Sequence, residues 1–369
     1  MTIPFVDLKA QYESIKQEIA DAVTEVLETR TFILGPHVAA FEKCFAKSCG
    51  AEHCIGVGNG TDALFIALKS LGFGPGDEAL VPANTFVATS EAVSMCGGRP
   101  VFVDAEEAGY HMDLADARAK VTARTKVVLP VHLYGQPMDM DAVRGFAGEF
   151  GLKIVQDCAQ AHAATFGGKP LAEFGDACCY SFFPGKNLGA YGDAGAIVTN
   201  DEELAGRCRM FANHGRRGKY DHEFEGVNSR MDGLHGAVLG VKLKYLDQWT
   251  QARRTNAGAY DELLAGIPGV VRPVALPGRR HVYHLYVVRV RNRDGLRAFL
   301  SEHGVATGVH YPIALPSLTA YSHLGAAPQD FPVAGRLAGE ILSLPMYPEL
   351  SREQIEYVAN LIRSFAGNA

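Results

Sequence analysis

The sequence predicts an α/β fold: a mostly parallel sheet covered by helices on both faces, with a smaller α+β unit at the carboxyl end. Three observations predict it. Between residues 54 and 157, apolar runs of four to six residues alternate with helical periodicities of seven to eleven, as strands buried on both faces and their crossover helices do. The alternation stops after Leu246. And 369 residues exceed one small domain, with about two expected.

The elements follow in order. Ile15, Ile19, Val23 and either Val26 or Leu27 recur at helical spacing, so Tyr12–Leu27 is an amphipathic helix. Phe32 to Pro36 breaks it, and Val38–Ser48 is a second helix. Strands are expected over Cys54–Val57, Glu78–Pro82, Pro100–Val103, Lys126–Val131 and Lys153–Asp157. Helices over Thr61–Leu71, Val87–Met95, Leu114–Lys120 and Met140–Phe150 lie between them. Gln251–Leu264 reads as helix, then Gly266 to Pro277 is broken by glycine and proline. Beyond it come a strand (Tyr283–Val290), a helix (Gly295–Glu302), a short strand (Thr307–Tyr311) and a terminal helix (Ser351–Ser364). The division expected is a large α/β domain over 1–248 and a small α+β domain over 249–369.

Composition narrows the function classes. Apolar content of 47% and charged content of 21% are those of a globular protein. A net charge of −6 argues against a general nucleic-acid or anionic-membrane surface. No apolar run is long enough to span a bilayer, and Met1 to Asp7 lacks a basic stretch followed by an apolar core, so neither a membrane nor a secretory role is expected. Eight cysteines without a CxxC pair read as reduced thiols in the cytoplasm. For the group Cys158, His162, Cys178 and Cys179, buried thiols fit better than a metal site, because the spacing matches no structural zinc pattern.

The chemistry concentrates around Lys186. A strand over Ala177–Phe183 ends at Pro184-Gly185, which turn the chain and deliver Lys186 into a loop of small residues. Asp157 stands at the carboxyl end of another buried strand, where ligands of open α/β sheets sit. A lysine amine and a strand-end acid are two parts that pyridoxal phosphate chemistry needs. Alone, such a lysine is a surface residue; the surroundings decide. Gly56-Val57-Gly58-Asn59-Gly60-Thr61 links a strand to a helix and offers free N–H groups to an anion, although it is neither a P-loop nor a dinucleotide fingerprint. Thr61 read blandly is a helix cap, and Phe86, at a strand end, packs either on a flat ring or in the core. Asp157 is costly to bury unpaired, and a protonated pyridine nitrogen is a fitting partner. Gln160 follows close enough to reach another ring substituent.

From Ile3-Pro4-Phe5-Val6-Asp7-Leu8 to Leu344-Pro345-Met346, these motifs resemble the DegT/DnrJ/EryC1/StrS sugar-aminotransferase family, a group of fold-type I pyridoxal-phosphate enzymes. The resemblance implies that Lys186 carries the cofactor covalently and then moves protons, and that Asp157 pairs with the ring nitrogen. It implies Gln160 at the ring hydroxyl, Phe86 stacked on the ring, and Gly60, Thr61 and Ser181 on the phosphate. Asn228, in Gly226-Val227-Asn228-Ser229-Arg230-Met231, would reach the phosphate held by a neighbouring subunit, which implies a homodimer with shared active sites. L-Glutamate would be the amino donor, converting the cofactor to pyridoxamine phosphate.

Phe183 to Gly189 with Gly192-Asp193, Val131-His132-Leu133-Tyr134-Gly135 and His310-Tyr311-Pro312-Ile313 are similar to members that aminate C3 of a nucleotide-linked keto-sugar. His310 and Tyr311 would lie near the sugar nucleotide, or else are packed strand residues. Arg216 and Lys219, in a basic cluster, would meet the substrate diphosphate or form a solvated loop. A dTDP-linked 3-keto-6-deoxyhexose is the first substrate expected, and a UDP-linked 3-keto-N-acetyl sugar or uronic acid the second. Two rivals are a pyridoxal-dependent dehydratase, against which Lys186 counts, and a non-enzymatic regulator, which predicts a lost lysine or an added DNA-binding segment.

Overall fold

The computed structural model describes residues 1–367. Helices α1 (Leu8–Thr29) and α2 (Pro36–Ser48) lead into β1 (His53–Val57) and α3 (Gly60–Ser70). Then come β2 (Glu78–Pro82), α4 (Val87–Met95), β3 (Arg99–Val103), α5 (Leu114–Lys120), β4 (Thr125–Val128), α6 (Met140–Phe150) and β5 (Lys153–Asp157). A short ribbon, β6 (Thr165–Phe166) and β7 (Lys169–Pro170), precedes β8 (Ala177–Ser181) and β9 (Gly195–Thr199). Helices α7 (Glu202–Phe211), α8 (Gly233–Leu243) and α9 (Leu246–Leu263) follow. The rest holds β10 (Val270–Val271), β11 (Arg279–Arg280), β12 (Tyr286–Val290), α10 (Arg293–Glu302), α11 (Pro332–Glu340), β13 (Ile341–Leu344) and α12 (Arg352–Gly367).

The main sheet has seven strands in the order β1-β9-β8-β5-β4-β2-β3. Strands β3, β2, β4, β5 and β8 are parallel, and β9 runs antiparallel to both β8 and β1. Strand β1 therefore points the same way as β8. Val57 and Ser181 both face Gly195 in the register, so the segments after β1 and β8 meet at one edge, near the end of β5. The strands are buried nearly throughout, which accounts for their continuous apolar runs.

Several differences from the sequence reading have local causes. The strand expected to run to Val131 stops at Val128, because Pro130 has no N–H for the ladder; its carbonyl still accepts from the Asp157 N–H at 2.9 Å. The strand expected to reach Phe183 stops at Ser181, and Phe182 bonds to Ala194 and Ala190 outside regular pairing. No strand forms over Thr307–Tyr311: Gly308 makes one bridge to Ser343 before Pro312 ends the pairing.

The second sheet, β10-β12-β13, is antiparallel. It packs with α9, α10 and α12 around Tyr260, Tyr286, Leu300, Leu344 and Val358, and Ile3 from the amino end joins that core. Leu285, Val287, Ala314 and Leu315 instead pack into the main core, so the chain on either side of β12 is held against the end of the main sheet. None of the described helices is long and apolar enough to cross a membrane.

Candidate active site

A cavity of about 740 Å³ opens at the carboxyl ends of β2, β5 and β8. One wall is the start of α3. Asn59 caps this helix, its side chain accepting from the Asp62 N–H at 2.8 Å, so Thr61 lies inside the first turn rather than at the cap. That leaves the Gly60 and Thr61 N–H groups, whose places in the first turn have no intrahelical acceptor, at the cavity wall beside the Ser181 hydroxyl. The approach demands glycine. A Cβ on Gly60 would lie 2.6 Å from the Ser181 Cβ, and one on Gly195 would lie 2.3 Å from the Asn59 carbonyl oxygen. The Asp62 carboxylate is tied down by Asn59 Nδ2 (3.0 Å) and Ser229 Oγ (2.7 Å).

Asp157 stands in the floor, buried. Thr89 Oγ1 donates to its Oδ2 at 2.8 Å and the Ala159 N–H to its Oδ1 at 3.1 Å. Burial raises its pKa, against the two hydrogen bonds and the Lys186 charge, which lower it. A buried carboxylate with two neutral donors and no bonded cation is a place for one. Lys186 lines the same cavity, its backbone turned by a Lys186 N–H to Phe183 carbonyl bond of 2.8 Å. Burial lowers its pKa to about 8, opposed by the Asp157 charge.

The roof comes from the carboxyl-terminal part. Phe86, at the cap position of α4, is half exposed and lies 5.3 Å from the Tyr311 ring, so it is a cavity residue and not core. Gln160 donates through Nε2 to Tyr311 Oη (3.3 Å) and accepts the Tyr134 N–H at Oε1 (2.5 Å). Tyr134 Oη donates to the His310 carbonyl at 2.6 Å, which closes the loop of contacts. Tyr134 adopts φ +61°, an uncommon value for a bulky residue, and it holds Gln160 and the 310–311 segment at once. His310 stacks on Phe5 and pairs with Ser343 Oγ at 2.8 Å.

Residues 13–363 match the model of the DegT/DnrJ/EryC1/StrS aminotransferase family. The chain belongs to that family. It is 46% identical to a pleiotropic regulatory protein of Geobacillus stearothermophilus over 99% of each chain. It is 44% identical to the dTDP-3-amino-3,4,6-trideoxy-alpha-D-glucose transaminase of Streptomyces venezuelae, over 99% of this chain and 96% of that one. It is 42% identical to the UDP-N-acetyl-3-dehydro-alpha-D-glucosamine 3-aminotransferase of Acidithiobacillus ferrooxidans, over 98% and 97%. The crystal structure of S. venezuelae DesV in complex with a ketimine intermediate superposes with a TM-score of 0.97 at 44% identity, covering 99% of this chain and 98% of that chain.

As a member of the DegT/DnrJ/EryC1/StrS family the chain is an aminotransferase, and the cavity fits pyridoxal phosphate. Two free N–H groups beside the Ser181 and Thr61 hydroxyls suit a phosphate, Asp157 suits a ring cation, and Lys186 offers an amine in the same cavity. Of the residues singled out in the sequence, Gly60, Thr61, Phe86, Asp157, Gln160, Ser181, Lys186, His310 and Tyr311 all line this cavity.

Three others do not line it. Arg216, Lys219 and Asn228 are exposed; Asn228 bridges to Asn213, and Lys219 lies over the Tyr220 ring. Arg216 borders a separate cleft of about 470 Å³ with Arg209, Arg217 and Arg230. Sequence reasoning missed Thr89, His284 and the role of Tyr134. Thr89 carries a weak signal, as a hydroxyl one turn into the helix after Phe86; the others act through tertiary contacts alone. His162 is sealed among Phe45, Tyr180 and Phe182, with neither ring nitrogen paired and its pKa lowered by burial to about 3.

Proposed function

We propose that this enzyme moves an amino group from L-glutamate to the C3 ketone of a nucleotide-diphosphate sugar, working as a cytoplasmic homodimer. The observation that carries the reading is one cavity that joins the Lys186 amine, the buried Asp157 carboxylate and the open amino end of α3. Bound there, pyridoxal phosphate supplies an aldehyde that takes up the donor's nitrogen and a ring that draws electrons from the substrate carbon.

The protein's part follows from its side chains. Gly60, Thr61 and Ser181 hold the phosphate. Asp157 keeps the ring nitrogen protonated, and the Thr89 hydroxyl at its Oδ2 favours the ionised carboxylate that this requires. Lys186 Nζ, with its pKa lowered to about 8, is poised to accept a proton from the substrate carbon and return it across the same face. Phe86, Tyr311 and Gln160 fix the ring plane and exclude water from one side. His310 and Tyr311, at the roof, face the sugar.

Arg216, Lys219 and Asn228 are exposed and lie outside their own chain's cavity, which supports a dimer in which they serve the neighbouring one. The two cores support a division near residue 248, with α9 spanning it. A dTDP-linked 3-keto-6-deoxyhexose is the first choice of acceptor. The Acidithiobacillus relative favours a second, a UDP-linked 3-keto-N-acetyl sugar, since its identity of 42% nearly equals the 44% of the dTDP enzyme. Incubating the holoenzyme with glutamate and a panel of keto-sugar nucleotides, read by mass spectrometry, tests the reading. A 3-amino sugar nucleotide is expected; glutamate-dependent bleaching of the cofactor's visible band with no aminated sugar in the panel would overturn the acceptor assignment.

A further inference from the structure

The turn that offers N–H groups to the cofactor phosphate is built from residues with little stiffness of their own. Gly56, Gly58 and Gly60 alternate through it, and glycine leaves the backbone more freedom than any other residue. One side chain from outside the turn holds it. Ser229 is buried beside it, and its Oγ accepts the Gly58 N–H at 3.0 Å and donates to Asp62 Oδ2 at 2.7 Å. The directions are fixed, because an N–H only donates and a carboxylate only accepts. Asn59 completes the ring: its Nδ2 donates to the same Oδ2 at 3.0 Å, and its Oδ1 accepts the Asp62 N–H at 2.8 Å. Residues 58 and 62 are thus clamped to one hydroxyl, with Gly60 and Thr61 between them. The fit is close, since a Cβ on Gly58 would lie 3.2 Å from Ser229 Oγ.

Ser229 is itself anchored. Its N–H donates to the Ala212 carbonyl at 2.9 Å, and the Val227 N–H donates to the Phe211 carbonyl at 2.8 Å, so the clamp leans on the end of α7 and on nothing in the turn. Asp62 gives the clamp a second use. It is an acid in the first turn of α3, whose free N–H groups are to receive another anion. The bonds to its Oδ2 tie that carboxylate to Asn59 and Ser229, away from competition for the same N–H groups. We infer that Ser229 is a positioning residue for the cofactor phosphate: through Gly58 and Asp62 its hydroxyl sets the turn so that the Gly60 and Thr61 N–H groups converge on one anion. Ser229 does not line the cavity, so it acts only through these partners.

The inference rests on the phosphate lying at the start of α3, and its test separates the two. Apoprotein is titrated by calorimetry with pyridoxamine phosphate and with pyridoxamine, which differ only in the phosphate and form no covalent bond to Lys186. Ser229→Ala is expected to raise the Kd for pyridoxamine phosphate about tenfold, the lower range of a hydrogen bond to a charged group, and to leave that for pyridoxamine unchanged. An equal rise for both ligands, or no rise, would overturn the inference. Ser229→Cys keeps the shape with a weaker donor; it is expected to fall between wild type and alanine, and the same pair of titrations on it decides the matter if the alanine variant does not fold. In an Asp62→Ala background, Ser229→Ala is expected to cost no more than about threefold, because one end of the clamp is already gone; a full tenfold loss there would refute the clamp. A wild-type protein that binds both ligands equally would instead refute the phosphate site, and the inference with it.

Discussion

Two lysines, half-buried Lys186 and buried Lys242, have their pKa lowered by burial to about 8, and only one of them sits in the site described above. Lys186 lies in the loop after β8, at a cavity that also holds Asp157 and the start of α3. Lys242 lies on α8, its Nζ donating to the Gly189 carbonyl at 2.7 Å and sitting 4.1 Å from the centre of the Tyr191 ring. Burial lowers the basicity of both amines; their surroundings differ. Lys242 is spent on a carbonyl and an aromatic face, whereas Lys186 lines a cavity that also holds a carboxylate. Depressed basicity alone does not make a reactive lysine. An open volume with a partner for the second half of the ligand does.

Predictions that probe this contrast run from the largest effect to the smallest. Lys186→Ala is expected to lower turnover by on the order of 10⁴-fold, the upper end of what a positioned acid–base group contributes, while pyridoxal phosphate still binds non-covalently. Steady-state kinetics and absorbance check it. Asp157→Asn is expected to cost roughly 10²–10³-fold in kcat, the scale of one preorganised charge partner, and to make the apoprotein more heat-stable, not less. The sign follows from burial. Asp157's pKa is raised in the fold, so stability falls as pH climbs from the ordinary carboxylate value through the raised one and the cost is full above it, and the asparagine removes that cost. A thermal scan without cofactor reads this as a gain of about 2 °C.

Asn228→Ala is expected to lower activity about tenfold, one hydrogen bond to a charged group. If sites are shared, co-refolding it with Lys186→Ala should restore about a quarter of wild-type activity, because half the dimers are then mixed and each has one intact site. No recovery would place Asn228 outside any shared site. Lys242→Met is expected to leave kcat within about threefold and to act on stability instead. Finally, since Lys186 is lowered from 10.5 to about 8, the free amine grows as pH rises through that value. Aldehyde capture by the apoprotein is expected to accelerate from about pH 7 to about pH 9 and then level off.

The parts legible in the sequence are those whose chemistry and position are both local. Lys153–Asp157 is an apolar strand ending in an acid, and it forms as read because neighbours along the chain set it; the strand before Lys186 also forms but ends at Ser181, ahead of Pro184-Gly185. Strand β9 was not anticipated. It is antiparallel between two strands that are parallel to each other, and a run such as Gly195-Ala196-Ile197-Val198 carries no sign of direction. Thr89 and Tyr134 escaped because each acquires its role from a partner far along the chain: Asp157 and His310. Arg216 and Lys219 were read from charge alone, and charge does not say which cavity, or whose, a loop will face.

The most direct measurement compares the two lysines in one experiment. Apoprotein is mixed with pyridoxal phosphate, reduced with borohydride and digested, and the modified peptide is identified by mass spectrometry. The account predicts the label on the peptide that carries Lys186 and none on the peptide that carries Lys242; label on Lys242, or on any lysine outside the cavity in place of Lys186, would contradict it.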